Sequence, residues 1–237
     1  MTQTLAPKSM ARRPMEVDAL DVLLHGGLPD GNSVLVQGGP GTGKTILGMQ
    51  FLYGGITRHD EPGLLVTFEE PPQRLSRDAH ALGWDFEALE RDRRLLVVYT
   101  SPSVFLKELE TDTYGRLCRE YGLKRVVVDS LAHFEVMPEN PDNVRVRFQR
   151  VVNALRREGL TVLMTRELET RETIVRVTPE EYLADTIIEL HYALLGERRT
   201  RLIEVLKHRG SPHSPTQHRF VIAAGGFQIL TTADGFA

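Results

Sequence analysis

The stretch Gly38-Gly39-Pro40-Gly41-Thr42-Gly43-Lys44-Thr45 has the residue types and spacing of a phosphate-binding loop. Its glycines let successive backbone N–H groups converge on phosphate oxygens, and a helix beginning at its end adds the positive pole of the peptide dipoles. Lys44 supplies a mobile charge for the β- and γ-phosphates, and the Thr45 hydroxyl is a ligand type for Mg²⁺. Gly39, Pro40, Gly41, Thr42, Gly43, Lys44 and Thr45 are therefore expected to line a bound nucleotide. The loop follows the aliphatic run Ser33-Val34-Leu35-Val36-Gln37 and precedes the apolar-rich segment Ile46 to Tyr53. That strand–loop–helix order separates a phosphate loop from an ordinary Gly-rich turn.

Phosphoryl transfer also needs carboxylates. Asp129 closes the run Val126-Val127-Val128 and is placed to hold Mg²⁺ directly or through water. Glu69 and Glu70 close Gly63 to Phe68, and either could polarise a water for attack on a γ-phosphate. Thr165, followed by Arg166 and Glu167, ends another aliphatic run and could sense that phosphate. Lysine is used sparingly, at Lys8, Lys44, Lys107, Lys124 and Lys207, with arginine in the other basic positions. Lys207 and Arg209 alternate, so on a strand they project to one face with His208 opposite. No acidic residue nearby in sequence pairs with them, and a phosphate would; an ordinary solvated strand is the competing reading.

The elements that must position these groups read as α/β. A helix is expected over Glu16 to Leu28, stopped near Gly26-Gly27, and Pro29-Asp30-Gly31 turns the chain into the loop strand. Further strands are expected at Gly63–Phe68, Leu95–Tyr99, Val126–Asp129 and Thr161–Thr165, aliphatic runs without polar alternation, as in sheets covered on both faces. Gln73 to Leu82 reads as a helix. A second is expected between Asn140 and Gly159, with Asn140 as cap and Val144, Phe148, Val151, Val152 and Leu155 as its apolar stripe. Its arginines, Arg145, Arg147, Arg150, Arg156 and Arg157, are expected on a solvated or subunit-facing surface. From Thr173 onward the pattern alternates, at Thr173–Val177, Asp185–Leu190, Thr200–Lys207, Arg219–Ile222 and Phe227–Leu230, which predicts an antiparallel extension of the same sheet. The expected organisation is a flexible arm over 1–14, one domain over 15–230 and a short tail over 231–237.

Composition narrows the function. A net charge of −3 and a pI near 6.3 give no electrostatic reason for tight nucleic-acid binding. The single Cys118 forms no intrachain disulfide, which fits a reducing cytosol. No apolar stretch approaches the ~20 residues needed to cross a bilayer. A cytoplasmic protein without membrane insertion is expected.

The order of these pieces resembles the RecA-like ATPases, and their wording resembles the KaiC family. The resemblance runs from about Met15 to Leu230. It passes through His25-Gly26-Gly27-Leu28-Pro29, the phosphate loop, Val66-Thr67-Phe68-Glu69-Glu70-Pro71-Pro72, Gly83-Trp84-Asp85, Val128-Asp129-Ser130, Glu181-Tyr182-Leu183-Ala184-Asp185 and Leu206-Lys207-His208-Arg209-Gly210-Ser211-Pro212-His213. It matches a single KaiC domain, nearer the first, ATP-hydrolysing one. It implies a RecA-like core binding ATP and Mg²⁺, Glu69 and Glu70 as paired catalytic glutamates, and a self-assembled ring, a hexamer by family, that serves as a switch for an unidentified protein partner. It also implies that Lys207 and Arg209 reach the γ-phosphate held by a neighbouring subunit. The family's phosphoacceptor Ser-Thr pair falls on Glu181 and Tyr182, so no autokinase activity is expected. Two other classes compete: a DNA-handling recombinase paralogue, disfavoured by the acidic residues mixed among the arginines of the segments that would face DNA, and a nucleotide-sensing adaptor with little turnover.

Overall fold

The computed structural model describes residues 11–135, 144–168, 181 and 183–230. The aliphatic runs form the centre of a nine-stranded sheet. Five strands are β3 (Ser33–Gly38), β4 (Gly63–Thr67), β5 (Leu95–Tyr99), β6 (Arg125–Asp129) and β7 (Thr161–Glu167). Four more are β8 (Thr186–Leu195), β9 (Arg198–His208), β10 (His218–Ala223) and β11 (Gly226–Ile229), in the spatial order β11-β10-β9-β8-β3-β7-β6-β4-β5. The first five pair in parallel. The antiparallel extension is present, but it begins one strand later than the sequence pattern implies. β8 runs parallel to β3, Val34 opposite Thr186 through Gly38 opposite Leu190, and only β9, β10 and β11 alternate in direction.

Strand alternation sorts the core into two layers. Val34 and Val36 pack with Leu47, Phe51 and Leu52 of helix α2 (Lys44–His59), while Leu35 packs with Phe148, Val151, Val152 and Leu155 of α8 (Val144–Arg157). The stripe expected on α8 is thus core at those four positions. The Asn140 cap, the strand expected at 173–177 and Tyr182 lie outside the described residues. On α8, Arg147 departs from the expected solvated surface. It is buried and donates to the Phe134 carbonyl at 2.6 Å, because the stripe's edge turns under the short helix α7 (Ala132–Glu135).

The N-terminal helix is shorter than the pattern over 16–28 suggests. α1 spans Asp18–Leu23, and Leu28-Pro29 forms the two-residue strand β2. Its partner is β1, Arg12-Arg13, so the arm expected to be flexible through residue 14 is already tied to the domain at residues 12 and 13. Helix α3 (Pro72–Ala81) lies where expected. α4 (Phe86–Arg91), α5 (Pro102–Glu110) and α6 (Thr113–Tyr121) lie outside the expected elements, although Asp85 and Ser101 cap the first two through their side chains and Gly122, at φ 63°, ends the third.

One buried ionic group holds the N-terminal segment to the sheet. Arg125 is 0% exposed, with NH1 2.8 Å from Glu16 Oε1 and Nε 2.6 Å from Glu61 Oε2. It also donates to the carbonyls of Pro14 and Phe51 at 3.0 and 2.9 Å and lies over the Phe51 ring. Burial pushes the Glu16 carboxyl above its usual range, against the lowering effect of Arg125, His59 and Arg58. α2 approaches this group through Gly54 and Gly55, where an added Cβ would come within 2.5 Å of Glu16 and 2.3 Å of the Arg125 guanidinium. Glycine is poorly suited to a helix interior, so its presence here reflects close approach. Removing one member of a buried ion pair leaves an uncompensated charge, and Arg125→Ala is expected to destabilise the chain by ~3–5 kcal/mol. Chemical denaturation beside the unsubstituted chain measures this; a loss below ~1 kcal/mol would show that the pair does not hold the segment.

Candidate phosphate site and its distal cations

The polar residues that end the parallel strands meet at one edge of the sheet. Phe68 N–H donates to the Asp129 carbonyl at 3.0 Å, Leu131 N–H to the Thr165 carbonyl at 2.9 Å, and Leu168 N–H to the Gly38 carbonyl at 3.0 Å. These bonds bring the ends of β3, β4, β6 and β7 together. Such a crevice at the carboxyl ends is where an α/β sheet binds its ligand.

Within it, Thr45 Oγ1 donates to Asp129 Oδ2 at 2.9 Å, and Thr165 Oγ1 donates to Asp129 Oδ1. Thr165 therefore orients Asp129. Burial raises the Asp129 pKa; the Thr165 and Thr45 hydrogen bonds and Lys44 act against that rise. A hydroxyl and a carboxylate are oxygen donors suited to Mg²⁺. Lys44 Nζ donates to the carbonyls of Gly38 and Gly39, both at 2.9 Å, so the ammonium folds over the loop. Its pKa is lowered by burial, against Glu167, Asp129 and Glu69.

The loop is closely packed beneath and open above. A Cβ on Gly38 would meet the Leu190 carbonyl oxygen at 2.2 Å, and one on Gly43 would meet Ile222 at 2.6 Å, whereas one on Gly41 would meet nothing within 4 Å among the described residues. Gly43 takes φ 105° at the start of α2. The residues present thus fit a phosphate chain lying over Gly41 and a Mg²⁺ ion beside Thr45 and Asp129. Arg201 of β9 also reaches the loop, 3.4 Å from the Gly41 carbonyl. Neither Arg201 nor the Ile222 and Phe227 contacts with Gly43 were legible in the sequence, because they depend on β9, β10 and β11 folding back beside α2.

The two glutamates differ. Glu70 is held by Arg74 NH1, at 3.0 Å to Oε2 and 3.3 Å to Oε1. Glu69 is 70% exposed, lies 3.5 Å from His133 Nε2, and its charge acts on both Lys44 and Asp129.

Lys207 and Arg209 lie at the other end of the sheet. Lys207 pairs with Ile187 near the start of β8, next to the amino-terminal half of β3. β3 is six residues long, which at ~3.3 Å per residue separates its ends by ~16 Å. The acidic partner of Arg209 is remote from it in sequence: Arg209 NH1 is 3.6 Å from Asp185 Oδ1. Contrary to the expected alternation, the two cations do not share a strand face. Lys207 is half-buried, with Nζ 3.0 and 2.6 Å from the carbonyls of Glu181 and Ala184, while Arg209 sits in the turn after β9 and is 63% exposed.

Asp185 is the hub that sequence reasoning missed. It accepts from Ser33 N–H at 2.9 Å, from Ser33 Oγ at 3.1 Å and from Arg156 of α8, and its carbonyl accepts from Arg209 N–H at 2.8 Å. Burial, and then the charge of Arg209, push the pKa values of Lys207 and Arg156 down. Positive charge is therefore crowded here, and an added anion would relieve it.

The chain matches the family model described as "ATPase: KaiC" over residues 14–234. It belongs to the KaiC ATPase family. It is 37% identical over 225 residues to the circadian clock oscillator protein KaiC of Picosynechococcus sp., covering 90% of this chain and 43% of that protein. It is 36% identical over 234 residues to KaiC of Synechococcus elongatus, covering 94% and 45%, and 31% identical over 238 residues to the circadian clock protein KaiC2 of Synechocystis sp., covering 97% and 42%. The chain thus spans less than half the length of these curated relatives. Among the described residues, no helix is long and apolar enough to cross a membrane.

His208, between the two cations, gives a pH test of this region. It is buried, with Nδ1 2.9 Å from Thr186 Oγ1, and burial followed by the nearby Arg12 and His213 pushes its pKa down to about 4. The unfolded chain binds this proton more readily, so the contribution to stability is present above the usual His pKa of ~6.5 and is lost as pH falls toward 4. The unfolding free energy should fall over that window in the unsubstituted chain and fall less in His208→Gln. Equal slopes would remove His208 as the titrating group.

Proposed function

We propose that this chain is a Mg²⁺-dependent ATPase whose site is completed by a neighbouring copy in a closed ring. The observation that carries the reading is the placement of two cationic groups at opposite ends of one strand: Lys44 at the carboxyl end of β3, and Lys207 with Arg209 beside its amino end. Arg209 sits at the Ser33 end, ~16 Å along the strand from Gly38. Lys207, level with Leu35 through Ile187, is ~10 Å from Gly38 with its ammonium held by the Glu181 and Ala184 carbonyls, so neither serves its own phosphate loop. They can serve another chain's. A head-to-tail contact repeated by a closing rotation makes a ring in which each loop meets the next chain's cations.

In this reading Gly39 to Thr45 hold the phosphates, and Thr45 and Asp129 hold Mg²⁺, which when bound neutralises charge on the phosphate oxygens. Lys44 exchanges its two loop carbonyls for phosphate oxygens. Glu69 is the base that polarises the attacking water, since Glu70 is engaged by Arg74 and Glu69 faces the charges of the site. Arg209 and Lys207 stabilise charge developing on the γ-phosphate of the adjoining chain, a contribution of ~10³–10⁵ in rate where such fingers act in trans. Asp185, clamped by Ser33 and Arg156, positions Arg209. Turnover of this kind suits a switch read by a partner protein in the cytoplasm. Glu181 and the Tyr182 position offer no Ser-Thr acceptor pair, so autokinase activity is not part of the proposal. DNA handling gains nothing from α8, where Arg147 and Arg156 are engaged by the chain itself.

Two measurements test this. Glu69→Gln should keep nucleotide binding and lose phosphate release by at least ~100-fold, the scale of one general base, with a smaller loss in Glu70→Gln; the reverse order would move the base to Glu70. Lys44→Ala, which cannot hold phosphate, and Arg209→Ala, which cannot reach its neighbour, should each be inactive alone and recover part of the rate when mixed. Recovery requires interfaces that pair an intact loop with an intact finger. If native mass measurement shows mixed rings and the rate stays absent, the neighbour-completed site is wrong.

A further inference from the structure

Beside the phosphate loop, on the sheet face opposite α2, β8 and β9 carry a second set of groups with ligand chemistry. We propose that Glu189, His191 and Glu204 form a binding site for a divalent transition-metal cation of the Zn²⁺ class, separate from the Mg²⁺ position at Thr45 and Asp129. This inference does not rest on the proposed ATPase reading.

The backbone places the three side chains on one sheet face. Glu189 and His191 are two apart on β8, and Glu204 is the Cα partner of Glu189 across the ladder. One donor atom from each lies within 4.8 Å of the other two. Metal bonds of ~2.0–2.2 Å need donors somewhat closer, a gap that side-chain torsions can close. The face is the one opposite α2, because Val36 packs toward α2 and the next residue, Gln37, points the other way.

Three features favour a cation there. His191 Nε2 is 2.6 Å from Glu204 Oε1, and its Nδ1 is 3.6 Å from Glu189 Oε1, so each ring nitrogen faces a carboxylate. A neutral imidazole has a single N–H, so one of these pairs sets lone pair against lone pair unless a proton or a metal lies between. With both carboxylates ionised, the three side chains are net negative in either state of the imidazole. The carboxylates are also held by neutral amides, as ligands commonly are by outer hydrogen bonds: Gln37 Nε2 donates to Glu189 Oε2 at 2.9 Å, and Gln217 Nε2 donates at 2.9 Å to Glu204 Oε1, the oxygen that faces His191. Finally, Gln37 is 2% exposed and its amide oxygen has no hydrogen-bond partner among the described residues, which leaves a neutral oxygen donor buried beside the cluster.

The donor set selects the ion. Imidazole nitrogen with carboxylate oxygen and no thiolate suits Zn²⁺, Co²⁺ or Ni²⁺, whereas Mg²⁺ and Ca²⁺ prefer oxygen alone. A bound ion would staple β8 to β9 next to Gln37, the residue before the phosphate loop.

The test is calorimetric titration of ZnCl₂ into chelator-treated, tag-free protein without nucleotide. One ion should bind per chain, excess Mg²⁺ should not displace it, and Lys44→Ala should bind equally. His191→Ala, Glu189→Gln and Glu204→Gln should each weaken binding by at least ~10-fold, the lower end of the loss caused by removing even an outer partner. Zn²⁺ should also raise the melting temperature of the unsubstituted and Lys44→Ala chains but not of His191→Ala. The two Gln variants keep side-chain volume and decide the matter if His191→Ala is misfolded by circular dichroism. Absence of binding to the unsubstituted chain, binding undiminished in the folded variants, or displacement by Mg²⁺ overturns the site.

Discussion

The structure depends on how the amino end of β3 is held. Ser33 gives its N–H and hydroxyl to Asp185, and Asp185 N–H returns a bond to the Ser33 carbonyl at 3.0 Å. This exchange fixes the register in which β8 runs parallel to β3, and the register fixes everything lateral to it. β9 then returns beside β8, bringing Arg201 to the phosphate loop at one end and Arg209 to Asp185 at the other. A slip of one residue would turn every β8 side chain to the other face, sending Ile188 and Leu190 out of the core. The carboxylate is thus structural and electrostatic at once: it locks the strand, and it is the counter-charge around which Arg156 and Arg209 gather.

What the sequence makes legible follows from local physics. Uninterrupted aliphatic runs mark β3, β4, β6 and β7 to within a residue or two, because strands buried on both faces leave no other composition, and they mark β5 as well although this edge strand is half-exposed. The phosphate loop, Asp129, Glu69 and Glu70 follow by position, since each must sit at a strand's carboxyl end. α4, α5 and α6 left weaker traces: a capping Asp85, a Ser101-Pro102 start and a Gly122 stop around stretches whose apolar residues are too few to announce a period. The β8 direction was not legible at all, because alternation reports that one face is wet and says nothing about which neighbour supplies the hydrogen bonds.

The site shows the same division. Thr45 and Asp129 could be paired from motif order, but Thr165 acting on Asp129 joins β7 to β6, a pairing that sequence order does not reveal. Asp185 is the sharper case. In sequence it is far from Ser33, Arg156 and Arg209, and nothing in a one-dimensional pattern makes those four groups neighbours. The acidic partner of Arg209 could not be found near it in sequence for that reason: it arrives from the other strand of a hairpin. Arg147 and Arg156 were misread for a related reason, since helical periodicity separates apolar from polar positions and cannot tell a solvated arginine from one that reaches inward to a carbonyl or a carboxylate.

The phosphate loop itself carries a final constraint. Lys44 spends its ammonium on the Gly38 and Gly39 carbonyls, in a partly buried position that lowers its pKa. A phosphate entering the site must replace two bonds from the ammonium to neutral carbonyl oxygens, and it offers acceptor oxygens that carry charge of the opposite sign. The exchange therefore favours the anion without any new lysine conformer having to be ordered, because the ammonium is already held over the loop. Glu167, Asp129 and Glu69 set the limit on this gain, since they keep Lys44 charged but also repel an incoming phosphate. A cation beside Thr45 and Asp129 resolves that opposition by turning the Asp129 charge from a repulsion into an anchor. The acidic edge that opposes a bare phosphate at this loop would, on the proposed reading, favour a phosphate that arrives with its own divalent ion.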